Sequence, residues 1–96
     1  MSIYHPYIAN DGKHKYYIIT NTGKIVKFGA IGYEHYTEGH LDEKRKQRYI
    51  MRHKKNENWN NPNTAGWWSY KMLWLYPTLK QAYNEIRKEL KAKGYV

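Results

Sequence analysis

The sequence predicts one small α+β domain: an N-terminal antiparallel hairpin or three-stranded sheet packed against about three helices, with an aromatic core. Three observations carry that expectation. Ninety-six residues supply one hydrophobic core. Leu, Ile, Val and Phe make up under a fifth of the chain, but 4 Trp and 11 Tyr stand in for them, and each aromatic buries roughly 150–250 Å². Finally, β-branched and aromatic runs near the start give way to helical spacing further on.

Residues 1–10 alternate poorly and contain Pro6, which fits a loosely packed arm or an edge strand. Asp11-Gly12 marks a turn, and Lys15–Thr20 and Lys24–Phe28 flank Asn21-Thr22-Gly23 as a hairpin. Tyr33–His40 mixes aromatics, His and Gly39 as an ordered loop. Asp42 caps a helix from Glu43 to about Lys55, with its acids at the positive end of the helix dipole. Asn56–Asn63, rich in Asn, is a loop anchored by Trp59. Thr64 opens a short helix through Trp67, Trp68, Met72, Leu73 and Leu75, stopped by Pro77; periodicity alone does not separate it from a buried strand. Thr78 starts the clearest helix, to Lys93, with Leu79, Ala82, Tyr83, Ile86 and Leu90 on one face.

Composition excludes several classes. There is no Cys, so disulfides, thiolate metal sites and Cys nucleophiles are out. No apolar run approaches the ~18–20 residues of a membrane span, and Met1–Pro6 lacks the layout of a signal peptide. The expectation is an intracellular module without membrane contact. Its formal net charge of +9 points to an acidic partner.

The charge is concentrated. Seven basic and two acidic side chains lie between Asp42 and Lys55. Arg45, Arg48, Arg52 and Lys55 recur at helical spacing, where like charges repel by a few tenths of a kcal/mol per pair. A polyanion would relieve that repulsion. The stripe therefore predicts phosphate contacts from Arg45, Arg48, Arg52, Lys54 and Lys55, with His53 as a donor beside them and Lys44 and Lys46 peripheral. The competing reading is a solvated face paired with Glu34, Glu38, Glu57 or the last helix. Leu41, Tyr49 and Ile50 are left for the core.

Tyr33, Tyr36, Trp59, Trp67 and Trp68 are candidates to stack on unpaired bases, although a chain poor in aliphatics needs most of its aromatics inside. Trp68, Tyr70, Leu73 and Trp74 are expected to be structural, and Trp59 to pin its loop. His35 and His40 with Glu34, Glu38 or Asp42 have the residue types of a two-His-one-carboxylate site, at unspecific spacing. No metal or cofactor is expected from them.

Tyr17, Lys27-Phe28-Gly29, Arg45 or Arg48, His53 and Glu85 together resemble the layout of GIY-YIG nucleases. That resemblance implies Mg²⁺-assisted phosphodiester hydrolysis with Tyr17, Arg45, His53 and Glu85 as catalytic residues. Phe28 stands where the family has a tyrosine. Phe28-Gly29-Ala30-Ile31-Gly32 and the stretch from Ala82 to Tyr95 resemble WGR domains, which implies a hairpin on a C-terminal helix.

Residues 27–80 are more closely similar to short basic proteins of giant double-stranded DNA viruses. The likeness runs through Phe28-Gly29, Tyr36-Thr37, His40, Asp42-Glu43-Lys44-Arg45 and Arg48-Tyr49-Ile50. It continues in Arg52-His53-Lys54-Lys55, Glu57-Asn58-Trp59, Asn61-Pro62, Thr64-Ala65-Gly66, Ser69, Leu73-Trp74 and Pro77-Thr78-Leu79-Lys80. It implies a viral origin and an infected-cell or virion setting without naming an activity; together with the basic stripe, the expectation is a viral accessory protein whose partner is nucleic acid, most naturally DNA. It also admits a virion structural role in which Trp67-Trp68 contacts another subunit.

Overall fold

The structure, a computed structural model, describes residues 3–57 and 59–96. Met1, Ser2, Asn58 and the Glu38 side chain, all used in the sequence readings, lie outside the described set. The α+β architecture is as predicted. A three-stranded antiparallel sheet has the order β1 (Tyr7–Ile8), β2 (His14–Ile19), β3 (Ile25–Ala30). Ile18 pairs with Val26 and Tyr16 with Phe28, so one face turns Ile18, Val26 and Phe28 inward. Tyr17, Ile19, Ile25 and Lys27 line a shallow cleft on the other face. The hairpin closes through Thr20, whose N–H donates to the Lys24 carbonyl at 2.8 Å, with Gly23 at φ +85°.

The N-terminal segment is pinned rather than loose. The Tyr4 N–H donates to the Ile19 carbonyl at 2.8 Å and its hydroxyl to Asn63 Oδ1 at 2.5 Å. Its fully buried ring lies parallel to Trp68 and edge-on to Tyr95. The edge-strand alternative for residues 1–10 is thus the one realised, at Tyr7–Ile8.

The helices are α1 (Glu43–His53), α2 (Ala65–Ser69) and α3 (Leu79–Ala92). Thr64 caps α2 by accepting from the Trp67 N–H, and Thr78 caps α3 by accepting from that of Gln81. Two π-helical turns depart from expectation. One, Tyr36–His40, replaces the predicted loop; the other, Tyr70–Trp74, continues α2. They pack on each other, α2 on β3, and α3 on the second turn. Leu41 closes the first turn at φ +52° and is about half exposed, so it does not join the core as predicted.

Trp67 and Trp68 are fully buried. The expected surface patch for another subunit is therefore corrected: α2 is wedged against the sheet, and both indoles become core. Trp68 stands 5.9 Å from Phe28 and donates its Nε1–H to the Pro62 carbonyl at 2.7 Å. Trp59 stacks on Tyr70 at 4.0 Å and holds its loop as expected. Among the described residues no helix is long and apolar enough to cross a membrane.

Candidate nucleic-acid interface

Asp42 starts α1 by accepting from the Lys44 and Arg45 N–H groups at 2.9 and 3.3 Å. The Arg45 N–H above all, then that of Lys44 and the nearby His40 and Arg48, hold its carboxyl below the usual range against partial desolvation. The helix ends at His53 rather than near Lys55, and Lys54 and Lys55 sit in the turn that follows.

The seven basic side chains divide by what they touch. Lys46 is half-buried and engaged: its Nζ donates to the Leu75 carbonyl at 2.9 Å and lies 4.6 Å from the centre of the Tyr36 ring. Arg45 pairs with Glu34 at 3.2 Å, near the surface. Lys44, Arg48, Arg52, Lys54 and Lys55 are exposed, and among the described residues no carboxylate lies within ion-pair distance of them. Arg48 and Arg52 stand one helical turn apart on α1, and Lys54 and Lys55 follow in the turn at its end.

His53 is fixed by two contacts. Its ring stacks on Tyr49 at 4.2 Å, and its Nδ1–H donates to the Tyr49 carbonyl at 3.0 Å. Tyr49 stacks in turn on Trp74 at 4.3 Å, nearly parallel. This column carries α1, because Tyr49 is the one buried residue of that helix.

Beside α1 runs a groove that no single segment of sequence announces. One concavity, of about 350 Å³, lies among Gly29, Tyr33, His35, Tyr49, Arg52 and Trp74. A second, of about 330 Å³, continues it towards Lys13, His14, Lys27 and Glu57, with Gly29, Tyr49, His53 and Ser69 common to both. Gly29 shapes the junction: it sits at φ +78°, and a Cβ there would come within 2.9 Å of Leu73 Cδ1. His35 is buried, and its Nδ1 accepts from Lys15 Nζ at 2.8 Å. Burial first, then the charges of Lys15 and His40, pull the His35 pKa down to about 4. At the far end Asp11 organises the rim, accepting from the Lys13 and His14 N–H groups at 2.9 Å and meeting the His14 ring at 2.7 Å. Lys27 approaches the same carboxylate at 3.4 Å. Of these groove residues, sequence reasoning singles out Arg52 and His53 as phosphate ligands and Tyr33 as a stacking candidate, cites Lys27 and Gly29 towards a site only within the nuclease resemblance, and misses Lys13. The signals present were the Asp11-Gly12 turn and a glycine directly after Phe28.

The nuclease grouping is not assembled. Tyr17 stacks on Tyr7 at 5.5 Å and lines the cleft on the outer sheet face. Arg45 is beside Glu34, His53 lines the groove, and Glu85 pairs with Lys88 on α3 at 3.4 Å. His40 Nδ1 accepts from the Asp42 N–H at 2.9 Å, which leaves the ring turned to a structural role. Among the described residues no group of three or more His, Asp or Glu side chains is arranged to hold a metal ion.

Residues 7–53 match the model of a family of unknown function, DUF5754. The matched segment runs from β1 to the last residue of α1, so it takes in the sheet, the first π-helical turn and most of the basic side chains described above. No curated protein and no solved structure matches the chain.

Proposed function

We propose that this protein binds nucleic acid through its phosphates, with Arg48, Arg52, Lys54 and Lys55 as the principal contacts, Lys44 at the periphery and His53 as an adjacent donor. The observation that carries the reading is the state of those cations: exposed, and beyond ion-pair distance of every carboxylate among the described residues. A helix and turn that hold four like charges in water, in a chain of net charge +9, are stabilised by a polyanion. The likeness of residues 27–80 to giant-virus proteins supplies the setting, an infected cell or a particle, and makes DNA the natural first ligand.

Four phosphate contacts give a log–log salt slope of about −3.6 on duplex DNA, or roughly a hundredfold loss of affinity between 50 and 200 mM salt. Fluorescence anisotropy with labelled duplex and single-stranded oligonucleotides measures it. Affinity indifferent to salt, or no binding at low salt, rejects the reading.

A further inference from the structure

The phosphate-binding reading above says nothing of the groove beside α1, and the inference here rests on that reading while naming the form of nucleic acid. We propose that the groove takes an unpaired base of a single strand, stacked on Tyr33, while Arg52 at one end and Lys13 at the other hold the flanking phosphates.

The shape comes first. The larger concavity, about 350 Å³, falls within the size range of sites that enclose small molecules, and its neighbour of about 330 Å³ extends it into a trough. A trough suits a strand; a closed pocket would suit a free metabolite. Gly29 lies where the two meet, at φ +78°, and a Cβ there would come within 2.9 Å of Leu73 Cδ1, so the position admits no side chain without a shift.

The chemistry of the lining alternates in the same order as a strand. The floor is aromatic, built from Trp74, Tyr49 and His35, all buried. His35 carries no charge at neutral pH, and the Lys15 ammonium behind it is engaged by His35 Nδ1 and the Tyr33 carbonyl, both at 2.8 Å. Tyr33 stands at the mouth and is 41% exposed. Its ring is supported from one side by His35 at 5.2 Å and Trp74 at 6.1 Å, which makes it a fixed platform rather than a swinging side chain. The cations that line the trough are Arg52 in the first concavity and Lys13 and Lys27 in the second, with His53 at the junction. Glu57 also lines the second concavity, and Asp11 already engages Lys27, so Lys13 is the cation left to a ligand at that end.

A duplex does not use this arrangement, because its bases are stacked inside and only its backbone reaches a protein surface. A strand with unstacked bases offers a flat apolar face between two phosphates, and aromatic platforms between cations are how sequence-tolerant single-strand binders work.

The test compares three ligands of equal length at equal ionic strength: oligothymidylate, its abasic counterpart, and the thymidylate–adenylate duplex. Wild type is expected to bind oligothymidylate about tenfold or more tighter than the abasic strand. Tyr33→Ala is expected to remove that difference while leaving abasic affinity and its salt slope unchanged, and Tyr33→Phe to retain it. Equal affinity for oligothymidylate and abasic strand in wild type overturns the proposal; if both still weaken on Arg48→Ala/Arg52→Ala, phosphate binding itself stands. Loss of all binding in every arm removes both. Displacement of the strand by thymidine monophosphate at comparable concentration also overturns it, since the groove would then be a nucleotide site.

Discussion

α1 and α3 are both rich in Lys and Arg, yet they differ in how firmly they are packed and in how many acids lie among their cations. On α3 acids lie among the cations and engage some of them, while Lys80 and Lys91 are exposed with no carboxylate at ion-pair distance among the described residues. Lys88 pairs with Glu85, and Glu89 takes both Lys93 at 3.1 Å and Lys71 of the second π-helical turn at 3.0 Å. Three α3 residues, Ala82, Ile86 and Leu90, are buried. α1 buries only Tyr49, and beyond Arg45 and Lys46 its cations reach into solvent. Net charge therefore says little about where a polyanion docks. What matters is where unpaired cations cluster without acids between them: Arg48, Arg52, Lys54 and Lys55 do so over a thinly packed helix, whereas Glu85 and Glu89 stand among the cations of α3.

The largest expected effect tests how thin that packing is. Tyr49 joins His53 and Trp74 in one stacked column and is the sole buried residue of α1. Tyr49→Ala is expected to cost about 3–5 kcal/mol in chemical denaturation. Hydrogen exchange should locate the loss in α1 and leave α3 protected close to the global limit. A loss below about 1 kcal/mol would mean that other contacts hold the helix.

The α1 side of the molecule also contains a buried group that makes stability depend on pH. His35 protonates at about 4 in the folded protein, against about 6.5 in the unfolded chain. Because the folded value is the lower one, the unfolded state binds the extra proton between these limits. Stability is then complete above pH 6.5 and is lost as pH falls towards 4, by about 3 kcal/mol. Asp42 and Glu89, whose carboxyls are held below their usual range, lose their contributions at lower pH still. Denaturation midpoints at pH 7 and pH 4.5 measure the drop. His35→Gln should flatten it, and NMR titration of Lys15→Met should show His35 protonating at higher pH, since one cause of its depression is gone.

These two effects mark where the sequence could and could not be read. α3 was legible because its core contacts are its own: Leu79, Ala82, Ile86 and Leu90 share a stripe, and Thr78 caps it locally. The hairpin was legible for the same reason, its turn being set by Thr20–Lys24. The π-helical turns were not. Their backbone bonds, such as His40 N–H to the His35 carbonyl at 3.1 Å, have little local sequence signature; the wider turns follow from packing the two against each other around Trp74. The burial of Tyr4 depends likewise on Trp68, Tyr95 and Asn63, residues far along the chain. The spacing of the basic stripe was legible, but not what each cation touches: Lys46, expected at its periphery, donates to the Leu75 carbonyl, and Arg45 pairs with Glu34. The groove draws on four segments and was invisible for that reason.

Exchanging the two helices as mutational targets sharpens the comparison directly. Arg48→Ala/Arg52→Ala removes two exposed α1 cations and is expected to make the salt slope on duplex DNA shallower by about 1.8. Lys88→Ala/Lys91→Ala removes the same charge from α3 and should change the slope by less than about 0.5. Equal changes would show that binding follows total charge rather than the α1 ridge.

The smallest effect concerns the one α1 arginine that is neither internal nor free. Arg45 Nη1 meets Glu34 at 3.2 Å, with Glu34 well exposed. A pair in that position is worth little, so Glu34→Gln should change stability by less than about 0.5 kcal/mol. It releases a guanidinium beside the ridge and removes a carboxylate that repels phosphate. The salt slope should then steepen by up to about 0.9, one further contact, with affinity rising at low salt. An unchanged slope would put Arg45 outside the contact surface and confine binding to Arg48, Arg52, Lys54 and Lys55; a steeper one would extend it towards the N-terminus of α1, where Lys44 is already exposed.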